Sequence, residues 1–173
     1  THEVTETTEL PLVFAVFDGM GGEEYGGDAA QIAVDTFKRV PDCNNCDLKR
    51  LNYIINNVLC HYMSENNIDR MGTTSAFLKI KENMAVACNV GDSSIYRVSG
   101  NKIFRLSLSH SMMIGQKRVL TQHLGIPENE ILLEPYGCRC AFEKRDIFLL
   151  CSDGLTDMVE EKRIFEIITQ NEF

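Results

Sequence analysis

Three acidic residues stand where short apolar runs end, a position suited to binding a cation. Asp18 and Asp153 each come at most two residues after such a run and precede a glycine, and Asp92 follows a third run and a glycine. If the runs are buried strands, their ends hold the carboxylates rigidly, and the glycines let a bound group approach the backbone. Carboxylate oxygens are hard ligands, so convergence of the three acids would make a site for Mg²⁺ or Mn²⁺.

Each of these acid–glycine pairs, taken alone, is more often a simple turn. The presence of three such pairs favours a shared site, and so does the segment 19–27, which holds five of the twelve glycines. A segment so rich in glycine indicates a tight or closely approached loop. The spacing alone does not name a reaction.

Length and composition limit the classes of protein to which this chain can belong. The chain has 173 residues, 44% of them hydrophobic, which suits one globular domain with its own core. With 25 acidic and 17 basic residues the net charge is −8, which argues against nucleic acid as a partner. The longest apolar run, Leu10 to Phe17, is too short for a membrane helix of about 18 residues, and the first residues do not resemble a signal peptide.

The periodicity of apolar residues predicts helices between hairpin-linked strands. The predicted helices are one capped by Asp28 and closed by Pro41, with Ala30, Ala33, Val34 and Phe37 on its apolar face, and others at 47–66, 116–124 and 160–170. The predicted strands are 12–17, 73–80, 84–90, 94–98, 102–106 and 147–151, with one or two more within 132–142. This order is typical of antiparallel sheets with helices layered outside.

Some polar and apolar residues outside these acids are interpreted as structural. His61 and His123 fall on predicted helices without a partner at metal-ligand spacing, and His110 is expected in a loop or the core. Arg70 and Arg97 are expected to be solvated bases, with contact to a phosphopeptide as the alternative. Residues 112–114, two methionines and an isoleucine, are expected to line the core or a groove.

Four segments of the chain together resemble a known family. They are Phe-Ala-Val-Phe-Asp-Gly-Met-Gly-Gly at 14–22, Met-Gly-Thr-Thr at 71–74, Asn-Val-Gly-Asp-Ser-Ser at 89–94 and Cys-Ser-Asp-Gly-Leu-Thr-Asp at 151–157. In this order they resemble the metal-dependent protein serine/threonine phosphatases of type 2C, in their bacterial-style form. The resemblance spans residues 12–159 and implies an α+β fold, a four-layer α-β-β-α sandwich of two antiparallel sheets flanked by helices.

The resemblance also implies roles for individual residues. Asp18 matches the acid that bridges two Mg²⁺ or Mn²⁺ ions, and Gly19 matches the residue that lends a backbone carbonyl to one of them. Asp153 matches another ligand of this centre, and Asp92 and Asp157 join it in holding a third ion. The implied reaction is hydrolysis of phosphoserine or phosphothreonine by a metal-bridged hydroxide, with Asp18 and Asp153 as the catalytic acids. The implied substrates are phosphorylated proteins, including those of a serine/threonine kinase.

The chain also departs from the family pattern. Residues 1–173 are expected to form one phosphatase-like domain without the family's N-terminal arginine and acidic block and without its last strand. Glu3, Glu6 and Glu9 are spaced acids without that arginine, and no flap is expected between His110 and Gln116. These departures are expected either because the sequence is a fragment of a longer chain or because the chain is a degenerate member of the family. In the second case the alternative function is a catalytically inactive regulatory or binding domain.

The seven cysteines favour a reducing compartment. They are odd in number and scattered, so free thiols in the cytoplasm are the expected state. A zinc site is the alternative, with Cys43 and Cys46 as one half and Cys138 and Cys140 as the other. That alternative would make the chain a zinc-stabilised interaction module.

Overall fold

The computed structural model describes residues 12–20, 25–40 and 47–170. The described strands are β1 Leu12–Val16, β2 Ser75–Lys81, β3 Met84–Val90, β4 Ser94–Ser99, β5 Lys102–Arg105, β6 Ser111–Ile114, β7 Lys117–Leu120, β8 Tyr136–Ala141 and β9 Ile147–Cys151. The described helices are α1 Gly26–Arg39, α2 Leu48–Asn66, α3 Asp153–Thr156 and α4 Glu161–Gln170. The expectations for Glu3, Glu6, Glu9, Pro41, Cys43, Cys46 and part of the glycine-rich segment lie outside the described residues.

The strands form two main antiparallel sheets. The first sheet has the order β1-β2-β3-β8, and the second has the order β5-β4-β9. Strands β6 and β7 form a separate antiparallel hairpin. The chain passes from the first sheet to the second through the short loop between β3 and β4, so the ends of strands from both sheets come close together.

Side chains of the first sheet alternate between its two faces, as the pleat requires. On β2, Phe77 packs on the helix side, while Ala76 and Leu78 pack toward the second sheet. On the second sheet, Ile95 and Leu150 belong to the same intersheet cluster as Ala76 and Leu78. Because this part of β2 is covered on both faces, three successive apolar residues, 76–78, are buried.

Helices α1 and α2 cover the outer face of the first sheet. Leu51, Ile55 and Leu59 recur every four residues along α2 and are completely buried. Phe37 of α1 lies with its ring centroid 5.9 Å from that of Phe77 on β2. Helix α4 packs near β5 of the second sheet. The predicted four-layer α-β-β-α arrangement is therefore confirmed.

No helix within the described ranges is long and apolar enough to cross a bilayer.

The predicted helix at 116–124 is wrong, because β7 pairs with β6 in that part of the chain. The two strands are joined at Gly115, whose φ of +63° suits a glycine in a hairpin turn. Residues 112–114 lie on β6 and are 52–62% exposed, so their expected place in the core is also wrong. The pairing of β7 with β6 joins segments on either side of a turn. A search for helical periodicity within one segment does not detect such pairing.

Two smaller predictions also need correction. Helix α1 begins at Gly26 with Tyr25 at its N-cap, and Asp28 lies inside the first turn instead of capping it. A carboxylate in the first turn still favours the helix, because it faces the positive end of the dipole. His123 follows β7 in a loop and not in a helix.

Candidate metal centre

The backbone of Asp18 is held by the segment that leads into β2. The amide of Asp18 donates to Thr74 Oγ1 at 3.2 Å, and the amide of Thr74 donates to the Asp18 carbonyl at 2.8 Å. The hydroxyl of Thr73 donates to the same carbonyl at 2.9 Å. These three hydrogen bonds to Thr73 and Thr74 fix the backbone of Asp18. The position from which its carboxylate projects is therefore fixed as well.

Asp92 lies in the loop that carries the chain from the first sheet to the second, and the residue is only 6% exposed. A Cβ on the preceding Gly91, where φ is +94°, would lie 2.6 Å from Thr74 Cγ2. Thr74 Oγ1 also lies 2.7 Å from Ser93 Oγ. Thr74 therefore joins the loop of Asp18 to the loop of Asp92, and the missing side chain at 91 permits the close approach.

Asp153 and Asp157 come from the turn of helix that follows β9. Asp153 is the first residue of α3, and the amide of Asp157 donates to its carbonyl at 2.7 Å. The side chain of Asp157 is 51% exposed. Asp153 therefore lies beside the end of the strand, and Asp157 lies one helical turn further from it.

The pKa values show that these carboxyl groups are close together. Burial, the charge of Asp153, a hydrogen bond with Asp153 and the charge of Asp92 raise the pKa of Asp18 from 3.8 to about 6. Burial and the charge of Asp153 also raise the pKa of Asp92, and the positive charge of Arg118 opposes that change. Like charges that compete in this way indicate a site that favours a cation.

Arg118 supplies positive charge to the outer part of this cluster. Its Nε lies 3.6 Å from Asp92 Oδ2, and its Nη1 donates to Asp157 Oδ1. Sequence analysis missed this residue because it lies on β7, where a helix was predicted. The strand-like segments on either side of Gly115 are the signal that could have revealed the hairpin.

A cavity of about 600 Å³ contains all of these groups. Its lining includes the five predicted site residues, Asp18, Gly19, Asp92, Asp153 and Asp157, together with Met20, Arg70, Thr74, Arg118 and His123. The structure thus brings together residues that are far apart in the sequence, up to 139 positions for Asp18 and Asp157. Their role as metal ligands stays a prediction.

The chemistry of the donors fits a divalent cation. Carboxylates are the ligands that Mg²⁺ and Mn²⁺ prefer, and a cation between Asp18 and Asp153 would relieve their repulsion. Over residues 12–20, 25–40 and 47–170, no three His, Cys, Asp or Glu side chains are already arranged to hold one ion. Binding therefore calls for adjustment of the side chains, above all where Arg118 contacts the acids.

The remaining charged candidates have structural partners. Gly91 donates its amide to His110 Nδ1 at 3.1 Å, and burial lowers the pKa of that imidazole. The expectation that Arg97 is a solvated base is wrong, because its side chain is 18% exposed and forms an ion pair with the buried side chain of Asp146. His61 lies on an exposed face of α2, 3.2 Å from Glu65.

The cysteines within the described ranges are free thiols, at positions 60, 88, 138, 140 and 151. Cys138 and Cys140 alternate with exposed residues along β8 and pack in the cluster between the sheets. Burial raises the pKa of Cys138, which disfavours the thiolate that zinc requires. The proposed second half of a zinc site is therefore poorly suited to that role.

The metal-free protein is expected to lose stability relative to its Asp18→Asn variant as the pH rises from about 4 to about 6. In this interval folded Asp18, with a pKa of about 6, still binds a proton that the unfolded chain, with a pKa of 3.8, has released. Urea unfolding of both proteins in EDTA at several pH values measures this difference. A constant difference in unfolding free energy across the interval would contradict the interaction between the carboxyl groups.

Comparison with known proteins now identifies the class. The sequence profile of the family described as "Protein phosphatase 2C" matches residues 1–171. The chain therefore belongs to the protein phosphatase 2C family of metal-dependent phosphatases. The resemblance drawn from the four sequence segments, and the class of enzyme it implied, are confirmed.

Individual relatives agree with this assignment. The chain is 28% identical over 188 residues to "Serine/threonine phosphatase stp" of Listeria welshimeri, covering 95% of this chain and 75% of the relative. It is 27% identical over 194 residues to "Protein phosphatase PhpP" of Streptococcus pneumoniae, covering 98% and 77%. The crystal structure of "Serine/threonine phosphatase Stp1" from Staphylococcus aureus matches with a TM-score of 0.82 and 25% identity, covering 93% of this chain and 72% of that one.

Proposed function

We propose that this chain hydrolyses phosphoserine and phosphothreonine in proteins, with two or three Mg²⁺ or Mn²⁺ ions held by Asp18, Gly19, Asp92, Asp153 and Asp157. The observation that carries the proposal is the convergence of three carboxyl groups in one cavity, where burial and the neighbouring acids Asp153 and Asp92 raise the pKa of Asp18 to about 6. The relatives named as serine/threonine phosphatases support the choice of substrate.

Divalent cations at these residues would supply water of lowered pKa and positive charge for the phosphoryl oxygens. The chain itself supplies the fixed frame. Thr74 holds the loops of Asp18 and Asp92 together, so the backbone that carries these carboxylates needs little reorganisation when a substrate binds. Arg118 offsets the charge of Asp92 and Asp157, which lowers the repulsion that a phosphate dianion meets at this acidic cavity.

The cavity also suits a phosphorylated side chain presented by a protein. Its volume of about 600 Å³ lies within the range common for small-molecule sites, and it is open on one side. A phosphoserine or phosphothreonine can therefore enter while the rest of the substrate protein stays outside. Proteins phosphorylated by a serine/threonine kinase are the partners that this proposal implies.

Phosphate release from a phosphothreonine peptide and from p-nitrophenyl phosphate tests the proposal. Turnover of both is expected with Mn²⁺, its loss with EDTA, and its recovery when Mn²⁺ is restored in excess. Turnover that EDTA leaves unchanged would exclude the metal centre. The alternative of an inactive binding domain predicts no turnover of either substrate in the metal-loaded protein.

A further inference from the structure

We infer that His123 donates the proton that the leaving oxygen of the substrate takes up, an assignment that rests on the proposed function. His123 lies on the loop after β7 and lines the same cavity as Asp18 and Asp153. It is the only imidazole among the described residues that line this cavity. Cleavage of a serine or threonine phosphoester releases a strongly basic alkoxide, which a positioned general acid protonates as the bond breaks.

The other polar groups of the cavity are less suited to this role. The carboxyl groups that hold cations are ionised and have no proton to give. A guanidinium group does not act as a proton donor of this kind in proteins, which leaves out the two arginines of the cavity. Histidine exchanges a proton near neutral pH, which makes it the natural donor among these side chains.

The orientation of the His123 ring follows from its contact with the next residue. Nδ1 lies 3.0 Å from the carbonyl oxygen of Leu124. Since a carbonyl oxygen only accepts, Nδ1 carries a proton and donates it in this contact. Nε2 is therefore the nitrogen through which the ring exchanges a proton in catalysis.

A buried asparagine fixes the turn that follows His123. Asn56 of α2 is 2% exposed, and its Oδ1 accepts from the amides of Gly125 at 2.8 Å and Ile126 at 3.1 Å. Its Nδ2 donates to the carbonyl of Ile126 at 3.0 Å. Gly125 itself has a φ of +97°, which a glycine adopts without strain. The loop of His123 is thus anchored to the helix layer.

The same short segment positions both His123 and Asp18. Leu124 and Thr73 exchange backbone hydrogen bonds of 3.1 and 2.8 Å, while the hydroxyl of Thr73 donates to the Asp18 carbonyl. The backbones that carry the imidazole and the carboxylate are therefore held relative to one another through a single residue, Thr73. Fixed placement of this kind is what a general acid needs.

The ring also packs directly on the backbone beside the metal centre. A Cβ on Gly72 would lie 2.6 Å from His123 Nδ1 and 2.7 Å from Met20 Cε. The imidazole and the side chain of Met20 therefore both pack over Gly72. Met20 has no proton to donate, so the polar group at this position is His123.

In the proposed step, water attacks phosphorus and the bond from phosphorus to the serine or threonine oxygen breaks. The electron pair of that bond goes to the leaving oxygen, which takes the proton from Nε2 and becomes a hydroxyl group. The attacking water keeps one proton as part of hydrogen phosphate and loses the other to solvent. The neutral imidazole then regains a proton from solvent, so the reaction consumes only water and the phosphoester.

The test compares His123→Asn with the wild-type protein on two substrates in Mn²⁺. Asparagine keeps an N–H group that can donate to the Leu124 carbonyl, but it cannot act as the acid. Turnover of a phosphothreonine peptide is expected to fall by about 100-fold or more. Turnover of p-nitrophenyl phosphate should change by less than about threefold, because its leaving group is a weak base that needs no proton.

His61→Asn is the matched control, because that histidine lies on an exposed face of α2, and it should leave both activities unchanged. Mn²⁺ affinity by calorimetry should be the same for His123→Asn and wild type. His123→Gln provides a second variant if the first does not fold.

Equal losses on both substrates, or no loss on the peptide, would overturn the assignment of His123 while leaving the proposed function intact. A wild-type protein that hydrolyses neither substrate with Mn²⁺ would overturn the proposed function and this assignment with it.

Discussion

Replacement of Asp18 by asparagine is expected to lower Mn²⁺-dependent hydrolysis of a phosphothreonine peptide by at least about 1,000-fold. In the proposed centre this carboxylate would help to hold the cations, and each cation would contribute several kcal/mol of charge stabilisation. Asparagine has nearly the same shape but no charge. In the metal-free state the same substitution should stabilise the fold at neutral pH, because it removes both the burial of a charged carboxylate and its repulsion by Asp153 and Asp92.

Asp18→Asn is thus expected to lower the activity but to raise the stability of the metal-free protein. A loss of activity caused by unfolding would instead come with lower stability. Phosphate release and thermal unfolding in EDTA measure them on the same preparation. Asp35→Asn is a suitable control, since that carboxylate accepts from Gln31 on α1 and lies outside the cavity lining. Full activity in Asp18→Asn would exclude Asp18 from the centre, and a lower midpoint in EDTA would contradict the repulsion.

Substitution of Gly19 by alanine is expected to lower the free energy of unfolding by about 3 kcal/mol and to abolish activity. A Cβ at this position would lie 2.0 Å from the carbonyl oxygen of Gly26 and 2.4 Å from its carbonyl carbon. Because the obstacle is backbone at the start of α1, a side-chain rotation cannot relieve the clash. Either the helix or the residue after Asp18 must move.

Gly27→Ala provides the matched control one residue further along. A Cβ on Gly27 would meet nothing within 4 Å, and the residue lies inside α1. Alanine there should raise the free energy of unfolding by up to about 1 kcal/mol, because it favours the helix. Urea unfolding of both variants measures the contrast. Equal stability of Gly19→Ala and Gly27→Ala would show that the approach of Gly26 to Gly19 is not a close one.

Predictions that depended on local pattern were the more successful ones. Strand β9 and the acid after it follow from an apolar run that stops at Ser152, and α2 follows from a four-residue repeat that ends near Asn66. Both are properties of neighbouring residues, so the sequence expresses them directly. The predicted cap at Asp28 was wrong by three residues, because the N-cap is Tyr25, and this is slightly more than the usual uncertainty of a helix boundary.

Predictions that depended on distant partners were less complete. A helix was predicted where β7 lies, because pairing with β6 across Gly115 is decided by contacts and not by the periodicity of one segment. This error concealed Arg118 and placed His123 on the wrong element. Both residues were therefore absent from the predicted site, although they line its cavity.

By itself the sequence determined the class of fold, the strand ends that carry Asp18, Asp92 and Asp153, and the family to which the chain belongs. Only the tertiary structure decided that burial and neighbouring acids raise the pKa values of Asp18 and Asp92, that Arg118 pairs with two acids, and that one segment, 72–74, contacts the backbones of both the Asp18 and the His123 loops. The physical reason is that burial and charge interaction depend on distances in space. Residues far apart along the chain acquire those distances only when the two sheets pack together.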